Sequence, residues 1–222
     1  MNETDIRAML NLYFIAGTQD CRHLPDGTPQ QKLLAVLELA LQNGITCFQF
    51  REKGAGALRD PAEIRALAET CRDLCRRYNV PFFLNNDVRL ALELQADGVH
   101  IGQKDMPLPE AAALCKGRLV LGISNTDMAE LDKNRDNPDV GYFAAGPVFA
   151  TRSKADAAPP TGIGFIRDIR ASGFTRPLAA IGGITADSAA DIRRAGADGI
   201  AVISAITQAQ DIARAVQGLL AR

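Results

Sequence analysis

Short apolar runs alternate with longer amphipathic segments along the whole chain. In the longer segments apolar residues recur at helical spacing, for example over residues 32–41 and 62–78. The short runs are rich in β-branched and aromatic residues and apolar over most of their length, which is typical of parallel strands buried on both faces. The pattern predicts eight strands, at residues 12–16, 46–50, 82–85, 98–101, 120–124, 142–145, 178–181 and 199–203.

Helix-boundary residues support this division. Asp60 before Pro61 and Thr185 before residues 186–195 are start signals, and Gly196 is a stop signal. Eight strand–helix units of about 28 residues fill the 222 residues, and no Pro/Ser-rich linker divides them. We therefore predict an α/β protein with one domain over residues 1–222, a (β/α)8 TIM barrel. An open, doubly wound sheet is the alternative, because the number of strands does not prove closure.

Composition restricts the partners. The chain has 25 Lys and Arg against 26 Asp and Glu, for a net charge of −1. This balance provides no overall positive field for nucleic acid or an anionic membrane. No apolar run approaches the roughly 18 residues of a membrane span. We expect no nucleic-acid partner and no membrane partner, and any bound anion must be held by a few local residues. The sequence sets no oligomeric state.

The cysteines and the first residues predict a cytoplasmic location. Residues 1–7 lack the separate cationic and apolar regions of a signal peptide. The odd number of cysteines, five, fits reduced thiols. Cys71 and Cys75 lie four residues apart on a predicted helix, but no second pair or nearby histidine completes a zinc site, so we expect them to pack in the core.

Polar residues collect where the predicted strands end, which is where barrel enzymes place their chemistry. After the second strand, Gln49, Arg51 and Lys53 alternate and therefore point the same way in an extended segment. Two cations facing the inside of a barrel need structural acids or a bound anion, since burying an unpaired charge is costly. Glu52 points the other way, so a bound anion is the favoured partner.

A group of oxygen ligands follows the third and fourth strands. Asn85, Asn86, Asp87 and Asp105 are the hard-oxygen side chains that suit Mg²⁺, which takes few protein ligands and keeps waters or substrate phosphates. The alternative for Asp87 is that it caps the next helix.

Two further segments suit phosphate. Gly182 and Gly183 precede a helix, and Ser204 ends the eighth strand, at the position where barrels often bind phosphate. Residues 147–164 form the longest predicted loop and carry Thr151, Arg152, Ser153 and Lys154. Cations and hydroxyls on a long loop favour a lid that closes over a bound phosphate, and the alternative is a solvated loop.

The chain provides no identifiable nucleophile–base set. His23 and His100 are the only histidines, and we expect His100 to be a buried, hydrogen-bonded core residue. Phosphate, Mg²⁺ and fixed donors suit a reaction in which pyrophosphate leaves and the enzyme stabilises the separating charge.

Five segments, in order, resemble thiamine phosphate synthases. They are Gln-Phe-Arg-Glu-Lys at 49–53, Ala-Asp-Gly-Val-His-Ile-Gly-Gln-Lys-Asp at 96–105, Gly-Pro-Val-Phe-Ala-Thr-Arg-Ser-Lys at 146–154, Ala-Ile-Gly-Gly-Ile-Thr at 180–185 and the stretch 195–206. The resemblance implies a (β/α)8 transferase that uses Mg²⁺. It implies condensation of hydroxymethylpyrimidine diphosphate with thiazole ethyl phosphate, or its carboxylated tautomer, to thiamine phosphate with release of diphosphate.

The resemblance also assigns residues. The implied catalytic residues are Arg51, Lys53, Ser124 and Lys154. The implied substrate-binding residues add Gln49, Phe50, Glu52, Asn85, Thr151, Arg152, Ser153, Gly183, Ile203 and Ser204. Of these, Thr151, Ser153, Gly183, Ile203 and Ser204 are implied to hold the thiazole phosphate. The implied metal ligands are Asp105 and position 86, where many members have an acid and this chain has Asn86. Either Asn86 offers its carbonyl oxygen or Asp87 replaces it, so we expect weaker metal binding.

Two other functions remain as alternatives. A thiazole tautomerase of the same fold is disfavoured because such proteins tend to carry a catalytic histidine after the fifth strand, where this chain has Asn125. A non-catalytic sensor of phosphorylated ligands is favoured only by Asn86.

Overall fold

Eight parallel strands pair in chain order, and the eighth pairs with the first, in a computed structural model that describes residues 1–154 and 157–221. The closed ring confirms the predicted (β/α)8 barrel, and the open-sheet alternative is wrong. The strands are β1 (Leu12–Ala16), β2 (Cys47–Phe50), β3 (Phe82–Asn85), β4 (Gly98–Ile101), β5 (Val120–Asn125), β6 (Tyr142–Ala145), β7 (Leu178–Ile181) and β8 (Gly199–Val202).

Helices cover the outside of the barrel. The signals at Asp60 and Thr185 are confirmed as N-caps, each directly before the first helical residue. The helices are α1 (Glu3–Leu10), α2 (Pro29–Gln42), α3 (Pro61–Arg77), α4 (Val88–Glu93), α5 (Leu108–Cys115), α6 (Met128–Asn134), α7 (Gly162–Ala171), α8 (Ala186–Arg194), α9 (Ser204–Thr207) and α10 (Ile212–Leu220), with a 3₁₀ turn at Thr18–Asp20.

Each strand divides its side chains between two cores, because successive residues point to opposite faces. Outward residues such as Phe14 and Phe48 pack with the helices. Inward, the rings of Tyr13, Phe83 and Tyr142 meet edge to face with centroids 5.8–6.0 Å apart and fill the barrel below the strand ends. Helix α1 closes the opposite end, since its buried residues pack against this inner group.

Small residues make room for these rings. A Cβ at Gly122 would lie 2.1 Å from the ring of Tyr142, and a Cβ at Gly98 would lie 2.1 Å from that of Phe83. The inner core is therefore built by pairing a large ring with a glycine on the neighbouring strand, to which each ring-bearing residue is registered.

All five cysteines are free and buried. Cys71 and Cys75 lie on the core side of α3, as the packing interpretation predicts. Over the part of the chain that is described, no helix has the length and apolar character needed to cross a membrane.

Candidate active site

A pocket opens at the carboxyl ends of the strands, above the inner rings. Its lining comes from strands and loops around the whole barrel. Of the residues predicted from the sequence, it brings together Gln49, Arg51, Lys53, Asn85, Asn86, Asp105, Ser124, Thr151, Ser153, Lys154, Gly183, Ile203 and Ser204.

Cations enter this pocket from two separate loops. Arg51 and Lys53 follow β2, and Lys154 lies on the loop after β6. The backbone of Arg51 is fixed, because its N–H donates to Ala16 O at 2.9 Å and its carbonyl accepts from Gln19 Nε2 at 2.7 Å. The segment that carries the first two cations is thereby held against the end of β1.

Three residues of the predicted binding segments do not line the pocket. Phe50 is 2% exposed and packs outward among the helices. Glu52 turns away and accepts from Thr18 N at 2.9 Å and Leu58 N at 2.6 Å, so it joins two loops. Arg152 is exposed between two lining residues. The physical reason is the alternation of an extended backbone, which sends every second side chain away from the pocket.

The oxygen ligands are arranged around Asp105. Its Oδ2 accepts from Gly102 N at 2.8 Å, its Oδ1 accepts from Asn86 Nδ2 at 2.7 Å, and Lys53 Nζ lies 3.9 Å from Oδ1. Asp87 is outside the pocket and caps α4 by accepting from Leu90 N at 2.9 Å. Between the two possibilities left by the sequence, Asn86 is the one beside Asp105.

This donor set fits Mg²⁺ only as a partial site. Asp105 offers a carboxylate and Asn86 an amide oxygen, both at the pocket. No cluster of three or more His, Cys, Asp or Glu within 1–154 and 157–221 could hold a metal ion. Magnesium commonly binds through one or two protein ligands and completes its shell with substrate phosphates and water, and these residues suit that arrangement.

The loop after β6 is joined to the turn after β7. Val148 N donates to Ile181 O at 2.8 Å, and Phe149 N donates to Gly182 O at 3.0 Å. Gly183 has φ +62°, and a Cβ there would lie 2.5 Å from Ala150 O. The predicted glycine turn is thus needed for close approach of the β6 loop, which sets the backbone beside Thr151 and Ser153.

Neutral polar groups form the floor. Gln49 and His100 are buried, and Ser124 is partly buried beside His100. His100 bonds Ser124 Oγ through Nε2 at 2.8 Å and Tyr142 Oη through Nδ1 at 2.9 Å. Burial and the nearby charge of Lys154 lower the pKa of His100 to about 4, so the imidazole is neutral at pH 7.

The core role predicted for His100 is confirmed, but its place in the pocket lining was missed. His100 pairs in register with the pocket-lining Asn85 on β3, which puts both side chains on the same face, and this register is set by the folded sheet rather than by the sequence pattern. Asn125, at the position where a tautomerase would tend to carry histidine, is fully buried and donates to Ile123 O at 3.2 Å.

Comparisons with known proteins agree with this geometry. Residues 12–206 match the protein family described as thiamine monophosphate synthase. The thiamine-phosphate synthase of Pasteurella multocida is 53% identical over 97% of each chain, and that of Actinobacillus succinogenes is 50% identical over 96% of this chain and 97% of its own. A solved structure, thiamine phosphate pyrophosphorylase from Pyrococcus furiosus, superposes with a TM-score of 0.81 at 33% identity, covering 96% of this chain and 95% of the other.

A family match over most of the chain and relatives at half identity establish a transferase reaction of thiamine biosynthesis, the formation of thiamine phosphate. The chain belongs to the thiamine monophosphate synthase family.

Proposed function

We propose that this chain joins 4-amino-2-methyl-5-hydroxymethylpyrimidine diphosphate to thiazole ethyl phosphate, or its carboxylated tautomer, with diphosphate as the leaving group. The observation that carries the proposal is the convergence of Arg51, Lys53 and Lys154 from two loops on one pocket that also holds Asp105 and Asn86. A chain with a net charge of −1 concentrates three cations at one barrel end, which is what a diphosphate requires.

The three cations take the diphosphate. Arg51 offers a planar fork of donors, while Lys53 and Lys154 act as point charges from opposite loops. Gln49 and Asn85, at the floor, contact the pyrimidine end of the same substrate, and Ser124 faces its diphosphate. The amides of Gln49, which is buried, and Asn85, which is partly buried, suit the ring because an aminopyrimidine has both donors and acceptors.

Asp105 and Asn86 would hold Mg²⁺ together with the diphosphate. Bound there, the ion would neutralise negative charge on the leaving group. Lys53 Nζ lies 3.9 Å from the Asp105 carboxylate, so its positive charge offsets part of the negative charge at the proposed metal site.

The thiazole phosphate occupies the other side of the pocket. Thr151 and Ser153 offer hydroxyl groups, Gly183 and Ile203 offer backbone, and Ser204 adds a hydroxyl at the end of β8. These groups are neutral, so the two phosphate sites differ in charge. The cations bind the diphosphate of one substrate, and the hydroxyls and backbone groups bind the monophosphate of the other.

The chemical step is a substitution at the pyrimidine methylene carbon. The C–O bond to the diphosphate breaks, and its electron pair leaves with the diphosphate. The thiazole nitrogen then forms the new C–N bond with its lone pair. When the carboxylated tautomer is the substrate, its C–CO2 bond also breaks: CO2 leaves, and the electrons of that bond stay in the thiazole ring. Arg51 and Lys154 stabilise the departing charge, and the neutral floor holds the electron-rich ring, so positioning and electrostatics replace a strong base.

The direct test is to incubate the purified protein with both phosphorylated precursors and Mg²⁺ and to measure thiamine phosphate and free diphosphate. Equal amounts of both products are expected, and chelation of Mg²⁺ should suppress them. Binding of both precursors without product would overturn the proposal and favour a sensor.

Lys154→Ala tests the leaving-group role. We expect kcat to fall on the order of 10²-fold, with KM for the thiazole phosphate changed much less, because the lost charge acts where negative charge develops. Lys116→Ala is the matched control, since it removes one exposed positive charge directly after α5, at the other end of the barrel. An unchanged kcat in Lys154→Ala would remove this residue from the leaving-group role.

A further inference from the structure

A continuous series of hydrogen-bonded side chains crosses the barrel from the buried Gln49 to the partly buried Ser124. Gln49 Nε2 donates to Tyr13 Oη at 2.8 Å, and Tyr13 Oη lies 3.1 Å from Tyr142 Oη. Tyr142 Oη lies 2.9 Å from His100 Nδ1, and His100 Nε2 lies 2.8 Å from Ser124 Oγ. Both ends line the pocket, whereas the two tyrosines lie beneath it. His100 also lines the pocket, so this hydrogen-bonded series links the two ends, Gln49 and Ser124, through two tyrosines that lie outside the lining.

Counting hydrogen-bond donors fixes which atom donates in each bond, starting from Gln49. An amide nitrogen only donates, so Tyr13 Oη accepts from Gln49. The single hydroxyl hydrogen of Tyr13 then has two possible acceptors, the hydroxyl oxygen of Tyr142 and the thiol sulfur of Cys47. Sulfur is the weaker acceptor, so Tyr13 donates to Tyr142.

The same count continues to Ser124. Tyr142 accepts from Tyr13, and its own hydrogen goes to His100 Nδ1. An imidazole that accepts at Nδ1 and is neutral carries its hydrogen on Nε2. That hydrogen is donated to Ser124 Oγ, which leaves the serine hydrogen directed to the pocket.

Packing also holds the two rings in the middle of this hydrogen-bonded series. The rings of His100 and Tyr142 stack with centroids 5.6 Å apart and planes inclined by 28°. The ring of Tyr142 sits over Gly122, where a Cβ would lie 2.1 Å away. Burial lowers the pKa of His100, which keeps its ring neutral at pH 7.

We propose that His100, held by Tyr142 as the Nε2–H tautomer, is a positioning residue that fixes the hydroxyl of Ser124 as a hydrogen-bond donor to the pyrimidine diphosphate. The inference rests on the proposed function for the role of Ser124. A serine whose oxygen is already occupied by His100 has fewer orientations to lose when substrate binds, and its donor is in place before charge develops.

The tautomer is tested without reference to activity. His23 and His100 are the only histidines, and His23 is exposed, so His23→Gln leaves one imidazole in the spectrum. Long-range ¹H–¹⁵N correlation spectra of that variant, labelled with ¹⁵N, should show Nε2 protonated and Nδ1 unprotonated between pH 6 and 8. A protonated Nδ1 in that range would overturn the proposal.

A matched pair of variants tests the effect on catalysis. Tyr142→Phe and Tyr13→Phe each delete one buried hydroxyl of the series, but only the first releases His100 Nδ1. We expect Tyr142→Phe to lower kcat on the order of tenfold and Tyr13→Phe to act mainly on KM for the pyrimidine diphosphate, through Gln49. Parallel losses of kcat in the two variants, at equal losses of thermal stability, would indicate a structural role and overturn the proposal.

A double-mutant cycle separates this inference from the proposed function. If His100 acts through Ser124, Tyr142→Phe should lower kcat no further when Ser124→Ala is already present. Independent, multiplicative losses would overturn the positioning role and leave the proposed function standing. A Ser124→Ala enzyme with full kcat would instead remove Ser124 from the proposed mechanism, while the tautomer measurement would still report on the hydrogen-bonded series.

Discussion

Asn86 has φ +67°, a left-handed conformation that is uncommon outside glycine, although asparagine tolerates it better than most residues. This backbone turn directs the side chain of Asn86 to Asp105 and leaves Asp87 to cap α4. From the sequence, both residues were candidates for the same metal position. The local backbone conformation places Asn86, and not Asp87, beside Asp105, and no pattern of residue types predicts that conformation.

Asn86→Asp is expected to lower the Mg²⁺ concentration for half-maximal activity on the order of tenfold, because an added carboxylate strengthens a magnesium site. In the absence of metal the same change should lower the free energy of unfolding. The amide that now donates to Asp105 at 2.7 Å would be replaced by a second negative charge.

Asp87→Asn is the matched control for that experiment. Asparagine caps helices about as well as aspartate, so the Mg²⁺ requirement and the stability should both stay close to those of the parent. Titrations of activity with Mg²⁺ and thermal unfolding in chelator provide the two measurements. A shift of the Mg²⁺ requirement in Asp87→Asn alone would mean that Asp87 is the ligand.

At the scale of elements, the strands were predictable and the side-chain directions at their ends were only partly so. The eight strands are short, apolar and separated by helical periodicity, and each strand spans the predicted residues to within one at either end. Gln49, Arg51 and Lys53 followed from alternation. The family resemblance assigns Phe50 and Glu52 to the site because the motif at 49–53 is contiguous, although the same alternation directs their side chains away from the pocket.

The joined loops after β6 and β7 were less accessible to sequence reasoning. Gly182 and Gly183 indicated a tight turn, but the reason for Gly183 lies in a segment about thirty residues earlier in the chain. A Cβ at Gly183 would lie 2.5 Å from Ala150 O and 2.8 Å from Phe149 Cβ. Such a close approach depends on tertiary packing, so a single sequence does not reveal it.

Gly183→Ala should therefore raise KM for the thiazole phosphate at least tenfold and lower the free energy of unfolding by about 1–3 kcal/mol, the cost of a strained backbone plus a collision. Gly173→Ala is the control, because Gly173 also has positive φ, +80°, but among the described residues no atom beyond its two chain neighbours lies within 4 Å of an added Cβ. Steady-state kinetics and denaturant unfolding of both variants separate the collision from the strain. Equal changes in the two variants would contradict a specific role for the β6 loop.

At the scale of the whole molecule, closing the barrel produces two environments with different chemistry. The strand ends collect cations and hydroxyls in a protein of net charge −1, so local placement outweighs total charge. The space between barrel and helices is apolar and takes up thiols: Cys21, Cys71, Cys75 and Cys115 belong to it, and Cys47 lies in the inner core.

The native protein should accordingly resist alkylation at pH 8 and react at five thiols once unfolded. Burial raises the pKa of Cys21 to about 12 and that of Cys115 to about 11, and raises the others as well. At pH 8 only on the order of one Cys115 in a thousand is then a thiolate, the reactive form. Raising the pH toward 9 should increase the rate, with Cys115 modified first. Mass spectrometry after timed iodoacetamide treatment, with and without denaturant, measures this order, and rapid native alkylation of Cys71 or Cys75 would contradict their place in the core.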